Sequence, residues 1–97
     1  MRRDAMIRKL KALKPALDRY HVKSVAVFGS VARGEAHAKS DIDLLVEFSK
    51  TPGLLDFVKL RRELTEKLGR PVDLVTKGGL HPRLRNQILS DAVYAYA

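Results

Sequence analysis

The stretch at residues 25–48 constrains the fold more than any other part of this chain. Its sequence, VAVFGSVARGEAHAKSDIDLLVEF, joins two apolar, β-branched runs through a glycine-serine pair and a polar loop. Short apolar runs bounded by turn residues are typical of buried strands. Val31, Ala32 and Arg33 predict one turn of helix after the first run, closed by Gly34. We therefore expect a strand, a tight turn leading into a helix N-terminus, and a second strand.

The tight turn is formed by Gly29 and Ser30. Free backbone N–H groups at a helix N-terminus favour bound anions, so Gly29 would let a phosphate approach the backbone and Ser30 would add a hydroxyl. A Gly-Ser pair between two elements is, taken alone, more often an ordinary turn or a helix N-cap. The pair therefore gains its meaning from the residues that follow it.

Two aspartates, Asp41 and Asp43, open the second apolar run. Because side chains alternate between the faces of a strand, both carboxylates are expected on the face opposite Ile42. Neighbouring carboxylates repel each other and favour a bound cation, and their hard oxygen atoms suit Mg²⁺ or Mn²⁺ with phosphate oxygens and water as further ligands. The alternative is a solvated strand start capped by aspartates, which explains one aspartate more readily than two.

A third carboxylate, Asp73, lies within another short apolar run at residues 71–75. If this strand lies beside the strand that carries Asp41 and Asp43, the three carboxylates converge. Such a site suits in-line phosphoryl or nucleotidyl transfer with two metal ions: one binds the triphosphate, and the other, with Asp73, lowers the pKa of an attacking hydroxyl. An aspartate placed for ordinary turn reasons is the alternative for Asp73 taken singly.

Together these residues resemble the DNA polymerase β-type nucleotidyltransferase superfamily. The positions that carry this resemblance are Gly29, Ser30, Asp41, Asp43 and Asp73. The longer string, which adds Arg33, Gly34 and Ser40, is similar to the smallest members, the minimal nucleotidyltransferases that serve as antitoxins to HEPN-domain ribonuclease toxins. The resemblance covers nearly the whole chain.

This resemblance implies an antitoxin that transfers AMP from ATP, with two Mg²⁺ ions, to a tyrosine of a cognate HEPN toxin and so inactivates it. It also implies assembly with the toxin. Catalytic and metal-binding roles fall to Asp41, Asp43 and Asp73, and contacts with the triphosphate fall to Gly29, Ser30 and Arg33. Arg33 would contact a phosphate or instead pair with Glu35 or with a carboxylate of the toxin.

Two other functions are compatible with the same residues. A non-catalytic antitoxin would neutralise its toxin by covering it, although three intact carboxylates weigh against a dead site. Transfer to RNA or to a small molecule would keep the chemistry and change the acceptor. The lack of an acceptor-holding domain argues against this last function, while the basic charge leaves RNA open.

Composition narrows the class of protein. The chain has 97 residues, no cysteine and a formal net charge of +8. We expect a single minimal nucleotidyltransferase domain at residues 1–97, in the cytoplasm, with no membrane-spanning segment and no disulfide. The positive charge indicates a negatively charged partner, which is a triphosphate, RNA or an acidic protein surface.

The remaining segments predict the elements around the motif. Helices are expected at residues 2–19, interrupted by Pro15, at 54–68, and at 82–89, where Leu84 and Ile88 would face inward. Residues 92–96 predict a last strand. The expected architecture is a small α/β domain with a mixed sheet of three to four strands, helices packed chiefly on one face and the aspartates on the other.

Overall fold

The computed structural model describes residues 3–35 and 41–97. In chain order its elements are α1 (Arg3–Ala12), α2 (Lys14–Asp18), β1 (Val22–Phe28), α3 (Gly29–Ala32), β2 (Ile42–Phe48), α4 (Leu54–Leu68), β3 (Val72–Thr76), α5 (Pro82–Asp91) and β4 (Val93–Tyr96). A 3-10 turn at Lys77–Gly79 connects β3 to α5. Ser40, which contributes to the family resemblance, lies outside the described residues.

The strands form one mixed sheet in the order β3-β2-β1-β4. β1 pairs antiparallel with both β2 and β4, whereas β2 and β3 are parallel. Parallel neighbours need a crossover connection, and α4 supplies it. The sheet therefore brings the end of β1 and the starts of β2 and β3 to one edge, and the predicted α/β architecture is confirmed.

The larger part of the core lies on one face of the sheet. Alternate residues of β2 point into it, namely Ile42, Leu44 and Val46. Helices α1, α2 and α4 cover this face, and their buried side chains are Met6, Leu10, Leu17, Leu60, Leu64 and Leu68. Three of the helices thus pack on a single face, as the sequence predicts.

A smaller cluster occupies the opposite face. It consists of Ala26, Phe28, Leu45 and Leu80, and the end of α5 packs on it through Ile88 and Leu89. Because Asp43 and Leu45 are two residues apart on β2, Asp43 lies on this same face. Helix α5 is therefore the helix that shares a face with the aspartates.

The helix boundaries follow local sequence rules. The prediction that Pro15 interrupts the first helix is confirmed, because α1 ends at Ala12 and α2 begins at Lys14 with proline in its first turn. The predicted range 54–68 is also confirmed, and Gly69 ends α4 in the left-handed conformation with a φ of 73°. No helix among the described residues is both long and apolar enough to cross a membrane.

The predicted inward position of Leu84 is wrong, because its side chain is 52% exposed. Leu84 and Ile88 do lie on neighbouring turns of α5, as their spacing requires. However, the contacts of α5 with the smaller cluster are made by Ile88, Leu89 and the following Ala92, so they involve only the end of the helix. Residues 81–87 are all exposed.

Candidate active site

Strand pairing brings the predicted aspartates together. Asp43 is in register with Phe28 at the end of β1 and with Asp73 at the start of β3. Asp41 directly precedes β2 and is exposed, as is Asp73, whereas Asp43 is half-buried. The sequence predicts that Asp73 joins the site if its strand lies beside the strand of Asp43. The parallel pairing of β2 with β3 confirms that the two strands are neighbours.

The charges of this site are mutually unfavourable. Burial raises the pKa of Asp43 above the ordinary value of 3.8, the negative charges of Asp73 and Asp41 raise that pKa further, and Arg33 lowers it. An acid whose pKa is raised by burial and by neighbouring acids is stabilised by any cation that approaches it. The three carboxylates therefore form an acidic group with an electrostatic preference for positive charge.

Gly29 lies against the carboxylate of Asp43. Its φ is +70°, in the left-handed region that residues other than glycine rarely adopt. A Cβ atom at this position would overlap Oδ2 of Asp43 and would lie 3.0 Å from its Cγ atom. Glycine is required here both by the backbone conformation and by the close approach of Asp43, so the turn and the aspartates form one site.

The turn after Gly29 has backbone N–H groups and a hydroxyl that are not used by side-chain hydrogen bonds within the described residues. α3 begins at Gly29, and no side chain caps its first N–H groups. The backbone N–H of Glu35 donates to the carbonyl of Ser30 at 2.8 Å, and that of Arg33 donates to the carbonyl of Gly29 at 3.1 Å, so the turn folds back on itself. The hydroxyl of Ser30 makes no hydrogen bond with another residue in the part of the chain that the structure describes.

Arg33 joins this turn to the end of α5. Its Nε atom donates to Oε2 of Glu35 at 3.2 Å, and its Nη1 atom donates to Oδ2 of Asp91 at 3.0 Å. These two carboxylates raise the pKa of Arg33 through the hydrogen bonds that they accept. The predicted pairing with Glu35 is therefore present. Asp91 was not expected, because its position 58 residues later gives no local signal.

Magnesium suits the donor atoms of this site. Within residues 3–35 and 41–97, no group of three or more carboxylate, imidazole or thiol side chains is arranged to hold a metal ion by itself. Mg²⁺ is usually bound through one or two carboxylates together with substrate phosphates and water, so it does not need such a closed group. The site fits a cation that arrives with a phosphorylated substrate.

Fold and site define a nucleotidyltransferase. The chain belongs to the nucleotidyltransferase domain family, which it matches over residues 8–95. A solved structure provisionally named a minimal nucleotidyltransferase has 43% sequence identity and a TM-score of 0.81, and the match covers 96% of this chain and 95% of that one. The resemblance seen in the sequence is therefore confirmed, and the chain is a minimal nucleotidyltransferase.

Relatives of this chain include proteins named protein adenylyltransferases. A Methanocaldococcus jannaschii protein provisionally named a protein adenylyltransferase is 48% identical over 79 residues, which cover 81% of this chain and 85% of the relative. The protein adenylyltransferase MntA of Thermococcus cleftensis is 42% identical over 84% of this chain and 82% of its own length. A toxin-antitoxin structure with AMP-PNP has 26% identity and a TM-score of 0.77, and the match covers 92% of this chain and 73% of that one.

Proposed function

We propose that this chain is a protein adenylyltransferase that transfers AMP from ATP to a tyrosine of a cognate HEPN ribonuclease toxin, and so acts as its antitoxin. The observation that carries the proposal is the register of Asp43 with Asp73, directly beside the Gly29 turn. The relatives named protein adenylyltransferases and the similar toxin-antitoxin structure with AMP-PNP support the substrate and the partner.

Together with phosphate oxygens of the triphosphate and water, Asp41, Asp43 and Asp73 would hold two Mg²⁺ ions, with Mn²⁺ as an alternative. When bound, the ions would neutralise charge on the triphosphate and lower the pKa of the acceptor hydroxyl. The support is the raised pKa of Asp43, whose causes are burial and then the charges of Asp73 and Asp41. A divalent cation would offset both the burial and the repulsion.

Gly29 and Ser30 would bind the β- and γ-phosphates. The absence of a Cβ atom at Gly29 leaves the backbone open, the first N–H groups of α3 have no side-chain cap, and the Ser30 hydroxyl has no hydrogen bond to another described residue. Backbone N–H groups and a hydroxyl are suitable donors for phosphate oxygens. Arg33, which Glu35 and Asp91 already hold, would add positive charge near the phosphates.

Asp73 would act on the acceptor. It is exposed at the start of β3, so a hydroxyl from another molecule can approach it. In the transfer, Asp73 accepts the proton of the tyrosine hydroxyl, a bond forms between the phenolic oxygen and the α-phosphorus, and the bond from that phosphorus to the pyrophosphate oxygen breaks. Pyrophosphate leaves, and the tyrosine carries AMP.

Intact-mass spectrometry tests this function. A cognate HEPN protein is incubated with the chain, ATP and Mg²⁺, and we expect a mass gain in whole AMP units. Asp43→Ala should abolish the gain because a central carboxylate is lost. Asp56→Ala is the matched control, since it removes the same charge from an exposed position on α4 and should transfer AMP normally.

The outcomes separate the alternatives. Unmodified toxin whose ribonuclease is still inhibited by both the wild-type chain and Asp43→Ala would contradict the enzymatic function and leave binding alone. Transfer of AMP to RNA with no modification of the toxin would contradict the protein acceptor. Loss of the mass gain on chelation of divalent cations would support the metal requirement, and transfer in excess chelator would contradict it.

A further inference from the structure

The first half of α5 is exposed around its circumference and carries two arginines and a leucine at consecutive positions. Arg83, Leu84 and Arg85 are all exposed, and α5 has no fully buried residue. Leu84 is 52% exposed. Neither Arg83 nor Arg85 forms an ion pair with a carboxylate among the residues that the structure describes. We call these three residues the α5 surface.

The stability of the isolated chain does not explain the α5 surface. Positive charges near the N-terminus of a helix are disfavoured by the helix dipole, and α5 has no acidic residue in its first turn to offset them. The exposed half of Leu84 gains nothing from the hydrophobic effect until another surface covers it. Both features become favourable against a partner that encloses this half of the helix, covers Leu84 and presents carboxylates to the two arginines.

The position of α5 indicates which partner this is. The end of α5 packs on the same sheet face as Asp43 and is joined to the turn after Gly29 by the ion pair between Arg33 and Asp91. The α5 surface thus lies on the face from which an acceptor must reach Asp73. A protein that contacts α5 can present a hydroxyl to the site without leaving this face.

Another exposed apolar group lies on α4 and does not meet this condition. Leu54, Leu55 and Val58 are 81%, 68% and 43% exposed. However, α4 packs through Leu60 and Leu64 on the face opposite the aspartates. A protein held by the outer side of α4 would lie across the sheet from Asp73, so this group does not suit an acceptor.

We propose that the α5 surface is the docking site for the acceptor protein, which presents acidic side chains to Arg83 and Arg85 and an apolar depression to Leu84. The proposal rests on the function proposed above. A second copy of this chain is a poor occupant, because its formal net charge of +8 repels a basic surface. The acceptor is thus recognised by charge complementarity beside the catalytic residues.

Binding and kinetics measured on separate variants test the docking site. The first variant, Arg83→Glu with Arg85→Glu, reverses the charge, and the second, Leu84→Ser, removes the apolar contact. The matched control, Leu54→Ser with Lys59→Glu and Arg62→Glu, makes the same changes in charge and apolar surface at exposed positions of α4. The dissociation constant for the HEPN protein is measured without ATP, so this measurement is independent of whether AMP is transferred.

We expect the charge-reversed variant to bind the HEPN protein at least ~10-fold more weakly, and Leu84→Ser to weaken binding in the same direction. The KM for the acceptor should rise with little change in kcat at saturating acceptor or in the KM for ATP. Binding by the wild-type chain should weaken as NaCl is added, and this dependence should be smaller in the charge-reversed variant.

Wild-type affinity in both α5 variants would overturn the docking site, as would an equal loss in the α4 control or no binding by the wild-type chain. Retained binding that depends on the α5 surface, with no transfer of AMP, would uphold the docking site and contradict the enzymatic function. Unchanged circular dichroism and melting temperature show that an affinity loss does not come from unfolding, which exposed substitutions are not expected to cause.

Discussion

Gly29 has a hydrogen atom where any other residue would place carbon against the carboxylate of Asp43. The glycine-serine turn and the acidic strand are separated in the sequence, yet Gly29 lies against Asp43 in the fold. A substitution at Gly29 therefore changes the position of Asp43 as well as the conformation of the turn. The effect of backbone strain can be separated from that of steric overlap by comparing Gly29 with a glycine that has a similar φ but no close neighbour.

Gly29→Ala and Gly69→Ala form this matched pair. Both glycines have positive φ, at 70° and 73°, but a Cβ at Gly69 would have no neighbour within 4 Å. We expect Gly69→Ala to lower the free energy of unfolding by about 1–2 kcal/mol and to keep full transfer activity. Gly29→Ala should cost more and lose transfer, as measured by denaturant unfolding and AMP incorporation. Equal losses of stability with normal activity in both variants would contradict this view of Gly29.

Asp43 is expected to lower stability in the metal-free protein. Its folded-state pKa is raised, so the folded chain binds the proton more tightly than the unfolded chain does, and stability falls as the pH rises from the ordinary aspartate pKa of 3.8 through the folded value. Asp43→Asn should therefore raise the melting temperature at neutral pH in chelator. It should also reduce the fall in stability with rising pH. The same substitution should abolish AMP transfer. Mg²⁺ should stabilise the wild-type chain more than the variant.

Thermal unfolding measured across pH, with and without Mg²⁺, checks this expectation. Asp56→Asn is the control, because this exposed aspartate lies in the first turn of α4, on the helix layer opposite the site. A lower melting temperature for Asp43→Asn at neutral pH in chelator would show that Asp43 stabilises the fold, contrary to the direction given by its burial and its acidic neighbours.

At the scale of elements, α4 has one side that is buried against the sheet and one side that faces solvent. Leu60, Leu64 and Leu68 lie on one side and are buried in the main core, at 1%, 2% and 3% exposure. Their spacing of four residues is that of a single helix stripe. Leu54 and Leu55 lie outside this stripe and contact solvent. Leucines of the same helix are therefore expected to contribute very different amounts to the free energy of unfolding.

Leu60→Ala should lower the free energy of unfolding by about 2–5 kcal/mol, because it removes buried methyl groups and leaves a cavity under the sheet. Leu55→Ala, at a position that is 68% exposed, should change it by less than about 0.5 kcal/mol. Chemical denaturation of both variants measures the difference. Similar losses at the two positions would show that the outer side of α4 is covered in solution.

Helix α5 marks the limit of prediction at this scale. Its existence follows from Pro82 at its start and from the helical residues after it. The spacing of Leu84 and Ile88 correctly places them on one side of the helix but does not reveal how far the sheet extends beneath it. Because only the end of α5 meets the smaller cluster, Leu84 is exposed and Ile88 is partly buried.

At the scale of the whole molecule, the order of the strands creates the site. Placing β2 between β1 and β3 puts Asp43 beside Phe28 on one side and Asp73 on the other. The antiparallel pairing of β1 with β2 returns the chain so that the turn after β1 meets the start of β2. A parallel neighbour on the far side then contributes the third carboxylate.

The sequence by itself determined most of the elements and the kinds of side chain that the candidate site contains. Apolar runs, Pro15 and Gly69 predict where strands and helices begin and end because these effects act over only a few residues. The tertiary structure decided which distant residues meet, including the pair of Arg33 and Asp91, the carboxylate of Asp43 against Gly29, and the face that α5 covers. These contacts depend on strand order and on packing across the sheet, which local periodicity does not encode.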